Sequence, residues 1–389
     1  MSTPTDTPTS TSTPTVAGER AITTRLDSWE GIVSSPVRPA RRVVGLGALG
    51  AAAVVALLVW LLRDHLGLGV VAGYLTYLVV VYVGYRATAG RRVGLDQLMR
   101  ALVYGAFAIA LLPLISLLFT VVTKGIGRAV EPDFLLQTMN GITGLADQAY
   151  ADGTAPFIGG AYHAILGTLI ITGIATVISV PIGVFAAIYL VEYAGRRQLA
   201  RLLRFFVDVM TGIPSIVAGL FAFALFGVIF GLGTKNAMAG AVALSVLMIP
   251  TVVRNSEEML RIVPNELREA ALALGVPKWR MIYRVVLPTA ASGLASGVTL
   301  AIARVIGETA PLLVAVGGFY ALNTNPLRGP MNTLAVYAYE MFSKPLNPGV
   351  RDPSLERAWA AALILVLVVV ALNMTARLIA TLFAPKTGR

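Results

Sequence analysis

Arg304 and Glu308 lie inside an apolar run at about 289–318, four positions apart. On a continuous helix that spacing puts them on one face and lets them pair. A charge at mid-membrane costs on the order of 3 kcal/mol on the insertion scale, so both are expected to face a protein interior or a wet path. A path for a multiply charged oxyanion suits this chemistry. Arg304 supplies a fixed cation with a planar fork that matches phosphate geometry. Glu308 would neutralise Arg304 when the path is empty, so that the anion is not trapped. A structural ion pair that fixes helix packing is the plainer alternative. Ionisable residues inside a span mark functional sites by default, which favours the path. Pro311 cannot donate to the carbonyl of Gly307, so the helix is expected to loosen beside the pair. Ser292, Gly293, Ser296 and Gly297 line the same run with small residues, a face that another helix can approach closely.

A second constellation precedes this run, from Glu266 to Pro277. It is polar, yet lies between two apolar segments. Pro264 before it and Gly275 at its close predict a short helix with a sharp exit. Leu267, Ala270 or Ala271, and Leu274 share one face at helical spacing. Small alanines leave a low-profile helix that can lie in a groove of another protein. An ordinary interfacial amphipathic helix is the competing reading. Pro277 opens a second helix, and Trp279 can anchor it at a membrane interface.

These two constellations need elements to hold them, and composition says which. Of 389 residues, 56% are hydrophobic and 13% charged, against about 25% charged in soluble domains. Mean hydropathy is +0.76. The chain therefore reads as an all-α, polytopic integral membrane protein. Runs long enough to span a bilayer fall at about 43–62, 68–85, 101–123, 164–192, 205–232, 237–253, 289–318 and 358–383. Pro181, Pro214 and Pro250 lie in or near such runs and join Pro311 as hinge candidates. The net charge of +11 reflects positive-inside bias rather than nucleic-acid binding. Arg86, Arg91, Arg92 and Arg100 follow the second run, and Arg196, Arg197, Arg201 and Arg204 the fourth. Arg254, Arg261, Arg268, Lys278, Arg280 and Arg284 follow the sixth. That pattern puts both termini and the Glu266 loop in the cytoplasm.

The chain has no cysteine, which excludes disulfides and thiolate-bound metal. His65 and His163 have no carboxylate spacing that suggests a metal site. Residues 1–42 are rich in Ser, Thr and Pro and read as a disordered cytoplasmic tail, not a signal peptide. Residues 43–100 read as an accessory two-helix hairpin with a basic linker, and 101–389 as a six-span core. No internal repeat supports an inverted-repeat transporter. No G-x-x-x-x-G-K-[ST] loop is present, so the chain carries no ATP-hydrolysing site of its own. Lys235, in an outer turn, reads as a solvated lysine that could also lead anions inward. Met331 to Phe342 reads as a short outer helix, with Tyr337, Tyr339 and Phe342 as interfacial anchors or docking residues.

Glu269-Ala270-Ala271, three residues, Gly275, nine residues, Val285 and Leu287-Pro288 together resemble the EAA motif of ABC-importer permeases, with Val285 in place of the usual Ile. Four further blocks resemble PstA-type phosphate permeases in order. They are Gly159 through Ile170 continuing as Ser179 to Tyr193, then Gly212 to Gly219, Ala303 to Leu313, and Met331 to Tyr337. The resemblance covers roughly 100–385, with a type I permease domain at about 160–383. It implies a type I ABC importer, in which Glu269, Ala270, Ala271 and Gly275 form the helix that couples to an ATPase. It also implies the partners: a second, PstC-like permease, PstB-like ATPase subunits that use ATP and Mg, and a PstS-like phosphate-binding protein. The location it implies is the cytoplasmic membrane. The cargo expected is inorganic phosphate. Sulfate, molybdate or phosphonate, or a stand-alone secondary transporter or channel, are the alternatives.

Overall fold

The computed structural model describes residues 38–63, 66–195 and 198–383. Most of the Ser/Thr/Pro-rich tail, together with His65, Arg196 and Arg197, lies outside them. No strand occurs among the described residues. Among the described residues, seven helices are long and apolar enough to cross a membrane, or up to eight if one bent pair counts as a span.

The chain divides into two compact units, up to Ile115 and from Ser116 onward. The first holds α1 (Arg38–Arg63), α2 (Leu66–Ala89) and the opening turns of α3 (Arg91–Ala129). Ala48, Val81 and Tyr85 are buried where α1 and α2 pack together. The basic stretch after α2 is not an extended linker. Gly90 alone interrupts the helices, and Arg91 to Arg100 already belong to α3.

The second unit continues with α4 (Pro132–Leu136), α5 (Gly144–Ala151) and α6 (Tyr162–Ile188), the last passing into a π-helical turn, Tyr189–Tyr193. Next come α7 (Gln198–Thr211), α8 (Ser215–Phe230), α9 (Ala237–Ile262) and α10 (Asn265–Ala273). After α11 (Lys278–Met281), a second π-helical turn, Ile282–Val286, leads into α12 (Leu287–Val305). The chain closes with α13 (Ala310–Ala315), α14 (Leu334–Ser343) and α15 (Asp352–Phe383).

Helix α9 is the central post. Its small residues Ala237, Ala239, Ala241 and Ala243 are fully buried, which brings Ile171 of α6, Phe226 of α8, Val305 of α12 and Leu312 of α13 into one core with Leu244 and Met248. Asn236 caps α9, its Oδ1 accepting from the Ala239 amide at 2.8 Å. The small face of α12 also packs on α9, where Asn255 Nδ2 donates to the Gly297 carbonyl at 3.1 Å.

Two of the expected spans are broken. The run at 205–232 is two helices, α7 and α8, bent by 105°. Pro214, with φ −58° and ψ 136°, caps α8 from outside instead of kinking a continuous helix, because it has no N–H to offer and holds Ile213 out of helical geometry. The run at 289–318 ends as a helix at Val305 and resumes at Ala310. Pro311 lies in the first turn of α13, where the missing N–H costs nothing. Pro181 and Pro250 do lie inside their helices, α6 and α9.

Candidate functional site

The charged residues flank the end of α12: Arg304 lies in its last turn and Glu308 in the break before α13. The Glu308 amide donates to Val305 O at 3.1 Å, and helical bonding restarts with Leu313 N to Thr309 O at 2.9 Å. Because the helix stops at Val305, Arg304 and Glu308 do not share a helical face. No hydrogen bond or ion pair joins them, and neither side chain has a polar partner among the described residues. Arg304 is exposed and Glu308 half-buried. The expected pairing is thus absent, and the guanidinium projects from the surface of a spanning helix.

Helix α13 is held in place from behind. A Cβ at Gly219 of α8 would meet Pro311 Cα at 2.6 Å and its carbonyl oxygen at 2.7 Å, so only glycine allows this backbone contact. At the far end of α13, the Lys235 chain lies over Gly317, 3.1 Å from where a Cβ would stand. Lys235 is exposed.

The polar loop forms the other part of the site. Helix α10 covers Asn265–Ala273 and ends in a Schellman motif: Gly275 N donates to Leu272 O at 2.9 Å and Val276 N to Ala271 O at 3.2 Å. This motif needs a left-handed residue, and Gly275 has φ +74°. Ala271 and Val276 pack together against Leu260, Met281 and Val286. Leu267, Leu274, Trp279 and Tyr283 stay exposed, as do Glu269 and Ala270. Of the alanines, Ala271 turns inward and Ala270 outward.

Sequence reading missed the ion pair that fixes this loop. Arg268 Nε donates to Glu192 Oε1 at 3.0 Å, with side chains 13% and 5% exposed. Its Nη2 donates to Leu260 O at 2.7 Å, and its Nη1 to Val263 O and Asn265 Oδ1. Lys278 Nζ donates to the Glu192 carbonyl. The missed signal was Glu192 itself, a carboxylate at the end of the apolar run 164–192, which calls for a partner. Beside it, Arg204 and Arg261 flank Glu257 at 3.7 and 3.5 Å, and Arg254 pairs with Asp208, around a cavity of about 170 Å³.

At the opposite end of α6, His163 is buried, with its ring edge-on to Tyr337 at 5.2 Å and to Tyr320 at 6.2 Å. Tyr337 is fully buried and is therefore not an interfacial anchor, whereas Tyr339 and Phe342 are exposed. The α14 segment is tied to α6, with Leu334 N donating to Thr168 Oγ1 at 2.8 Å. Burial holds the Glu340 carboxyl on α14 above the usual carboxylate range, against the opposing pull of the Asn332 hydrogen bond and Lys344. Asp147 and Arg357 form a fully buried pair here. Nη2 lies 2.7 Å from Oδ1 and Nη1 donates to Oδ2 at 3.0 Å.

Residues 179–389 match the family described as binding-protein-dependent transport system inner membrane component. The chain is 44% identical over 276 residues to the phosphate transport system permease protein PstA 1 of Mycobacterium tuberculosis (strain ATCC 25618 / H37Rv), covering 71% of this chain and 84% of that relative. It is 37% identical over 287 residues to the phosphate transport system permease protein PstA of Pasteurella multocida (strain Pm70), covering 73% and 93%. Among solved structures, an inward-facing MetNI methionine ABC transporter chain is 22% identical with a TM-score of 0.44, covering 58% of this chain and 95% of that one.

Proposed function

The chain belongs to the binding-protein-dependent inner membrane components, among the PstA-type permeases, and from that membership we propose that it is the subunit through which an ABC importer passes inorganic phosphate across the cytoplasmic membrane. The observation that carries this reading is the 44% identity to a phosphate permease over 276 residues, with 84% of that relative covered. It is a multi-pass transport component. Its partners in this reading are a second permease of PstC type, ATPases of PstB type that bind ATP and Mg, and a phosphate-binding protein of PstS type. Both termini and α10 lie on the cytoplasmic side, in keeping with the basic loops.

The geometry supports a division of labour. The exposed ledge of Leu267 and Ala270 on α10 and Leu274 at its C-cap is the surface offered to the ATPase. Arg304, exposed and with no hydrogen-bond or ion-pair partner among the described residues, is a fixed cation facing the second permease, so that the phosphate path runs between the two subunits. Glu308, four residues on and past the end of α12, supplies the counter-charge that keeps binding weak enough for release. Helices α6, α9 and α13, which contain Pro181, Pro250 and Pro311, and the bend at Pro214 before α8 are the parts that rock. ATP chemistry belongs to the partner, and this chain contributes position and charge.

Two experiments test this reading. The purified chain alone in vesicles is expected to move no phosphate under a proton or sodium gradient. Gradient-driven uptake without an ATPase would sink the proposal. Glu269→Lys places a cation on the exposed face of the docking helix, and co-purification of the ATPase is expected to fall by roughly tenfold, the scale of one disrupted interfacial charge contact. Undiminished co-purification would count against α10 as the docking element.

A further inference from the structure

We propose that the buried Arg268–Glu192 pair is the link that makes α10 move as one body with α6 and α9, so that these two residues position the permease for each transport step. The inference rests on the reading of α10 as the ATPase-docking helix and goes beyond it by naming how displacement leaves that helix.

The guanidinium of Arg268 joins three elements at once. Nε bonds Glu192 in the π-helical turn that ends α6. Nη2 bonds Leu260 O in the last turn of α9, and Nη1 bonds Val263 O just past its end. Glu192 answers from both sides of the loop. Its carboxylate takes Arg268, from before Gly275, and its carbonyl takes Lys278, from after Pro277. Lys278 also lies over the Tyr193 ring at 5.0 Å. The π-helical turn bonds Ala194 N to Tyr189 O. Such insertions often mark functional positions.

Apolar packing of Ala271 and Val276 on Val191, Leu260 and Met281 already seats the loop. A buried ion pair adds little net stability, because desolvation offsets its attraction. It does add direction. A planar fork bonded to two carbonyls and a carboxylate resists sliding and rotation, where apolar contacts alone would let α10 slip. A push on the exposed ledge of α10 is therefore delivered to the ends of α6 and α9. Helix α9 in turn carries α12, through Asn255 and Gly297, up to the break at Arg304.

The test uses the full complex in vesicles: this chain, the second permease, the ATPase and the binding protein. Phosphate moved per ATP hydrolysed is measured together with ATPase retention and the melting midpoint of the complex. Arg268→Gln and Glu192→Gln are each expected to retain the ATPase while phosphate moved per ATP falls by roughly tenfold, within the usual range of coupling between sites. Arg268→Lys keeps the charge without the fork and is expected to recover only part of the ratio. The exchange Glu192→Arg with Arg268→Glu is expected to restore more of it than either single charge removal. The proposal is overturned if the ratio is unchanged in both single variants. It is also overturned if uptake falls only in step with ATPase retention or with folded protein, since the pair would then serve docking or stability alone. Failure of the wild-type chain to retain any ATPase would instead sink the reading of α10, a distinct result.

Discussion

Arg304→Ala is expected to lower phosphate uptake by roughly 10- to 100-fold, the equivalent of one or two charge-assisted hydrogen bonds lost from the moving anion. Assembly and melting behaviour are expected to stay at wild-type levels. That separation follows from the structure, because the side chain is exposed and has no hydrogen bond or ion pair within the described residues. Removing it leaves no buried group without a partner. Arg304→Lys retains the charge but not the fork and is expected to fall between the two. Uptake measured in cells, with membrane content of the chain checked in parallel, decides the matter. Wild-type uptake by Arg304→Ala at normal expression would contradict the path assignment.

Arg357→Ala is expected to act in the opposite way, on folding instead of passage. Arg357 is 1% exposed and Asp147 0% exposed, with 2.7 Å between them. Arg357 also donates to Ile158 O at 2.8 Å and lies 4.6 Å from the Phe157 ring centroid, while Ser354 Oγ donates to Asp147 Oδ2 at 3.1 Å. Deleting one member leaves the other charged and buried, at a cost of about 3–5 kcal/mol. The unfolding midpoint in detergent should drop clearly. The double replacement Asp147→Leu with Arg357→Met, which removes both charges, should regain most of that loss. An unchanged midpoint in the single variant would show that the pair does not hold the 143–160 segment onto α15.

Composition and charge pattern made the helical membrane class legible, because a long apolar run needs only counting. Helix α10 was legible as a short helix between Pro264 and Gly275, since those two residues impose local backbone geometries that the structure shows. The break after Val305 was only half legible. Hydropathy records side chains and not backbone hydrogen bonds, so 289–318 read as one span even though Gly307 and Pro311 were the signals of its interruption. The same blindness merged α7 and α8. The pairs Glu192–Arg268 and Asp147–Arg357 were out of reach for another reason. Their members are 76 and 210 residues apart, and only tertiary packing brings them together. Tyr337 was misplaced because an aromatic residue near a span end fits an interface and a core equally well until its neighbours, here His163 and Tyr320, are in view. The blocks that resembled the family do meet in space: Gly219 against Pro311, and Thr168 bonded to Leu334.

The central claim is that this chain passes phosphate only as part of an ATP-driven complex. Uptake of labelled phosphate into vesicles holding the chain, its second permease and the ATPase, with the phosphate-binding protein outside, tests it directly. The account predicts uptake that requires ATP on the α10 side and that excess sulfate, molybdate or phosphonate leaves undiminished. Equal uptake without ATP, or suppression by one of those anions as strong as that by unlabelled phosphate, would contradict it.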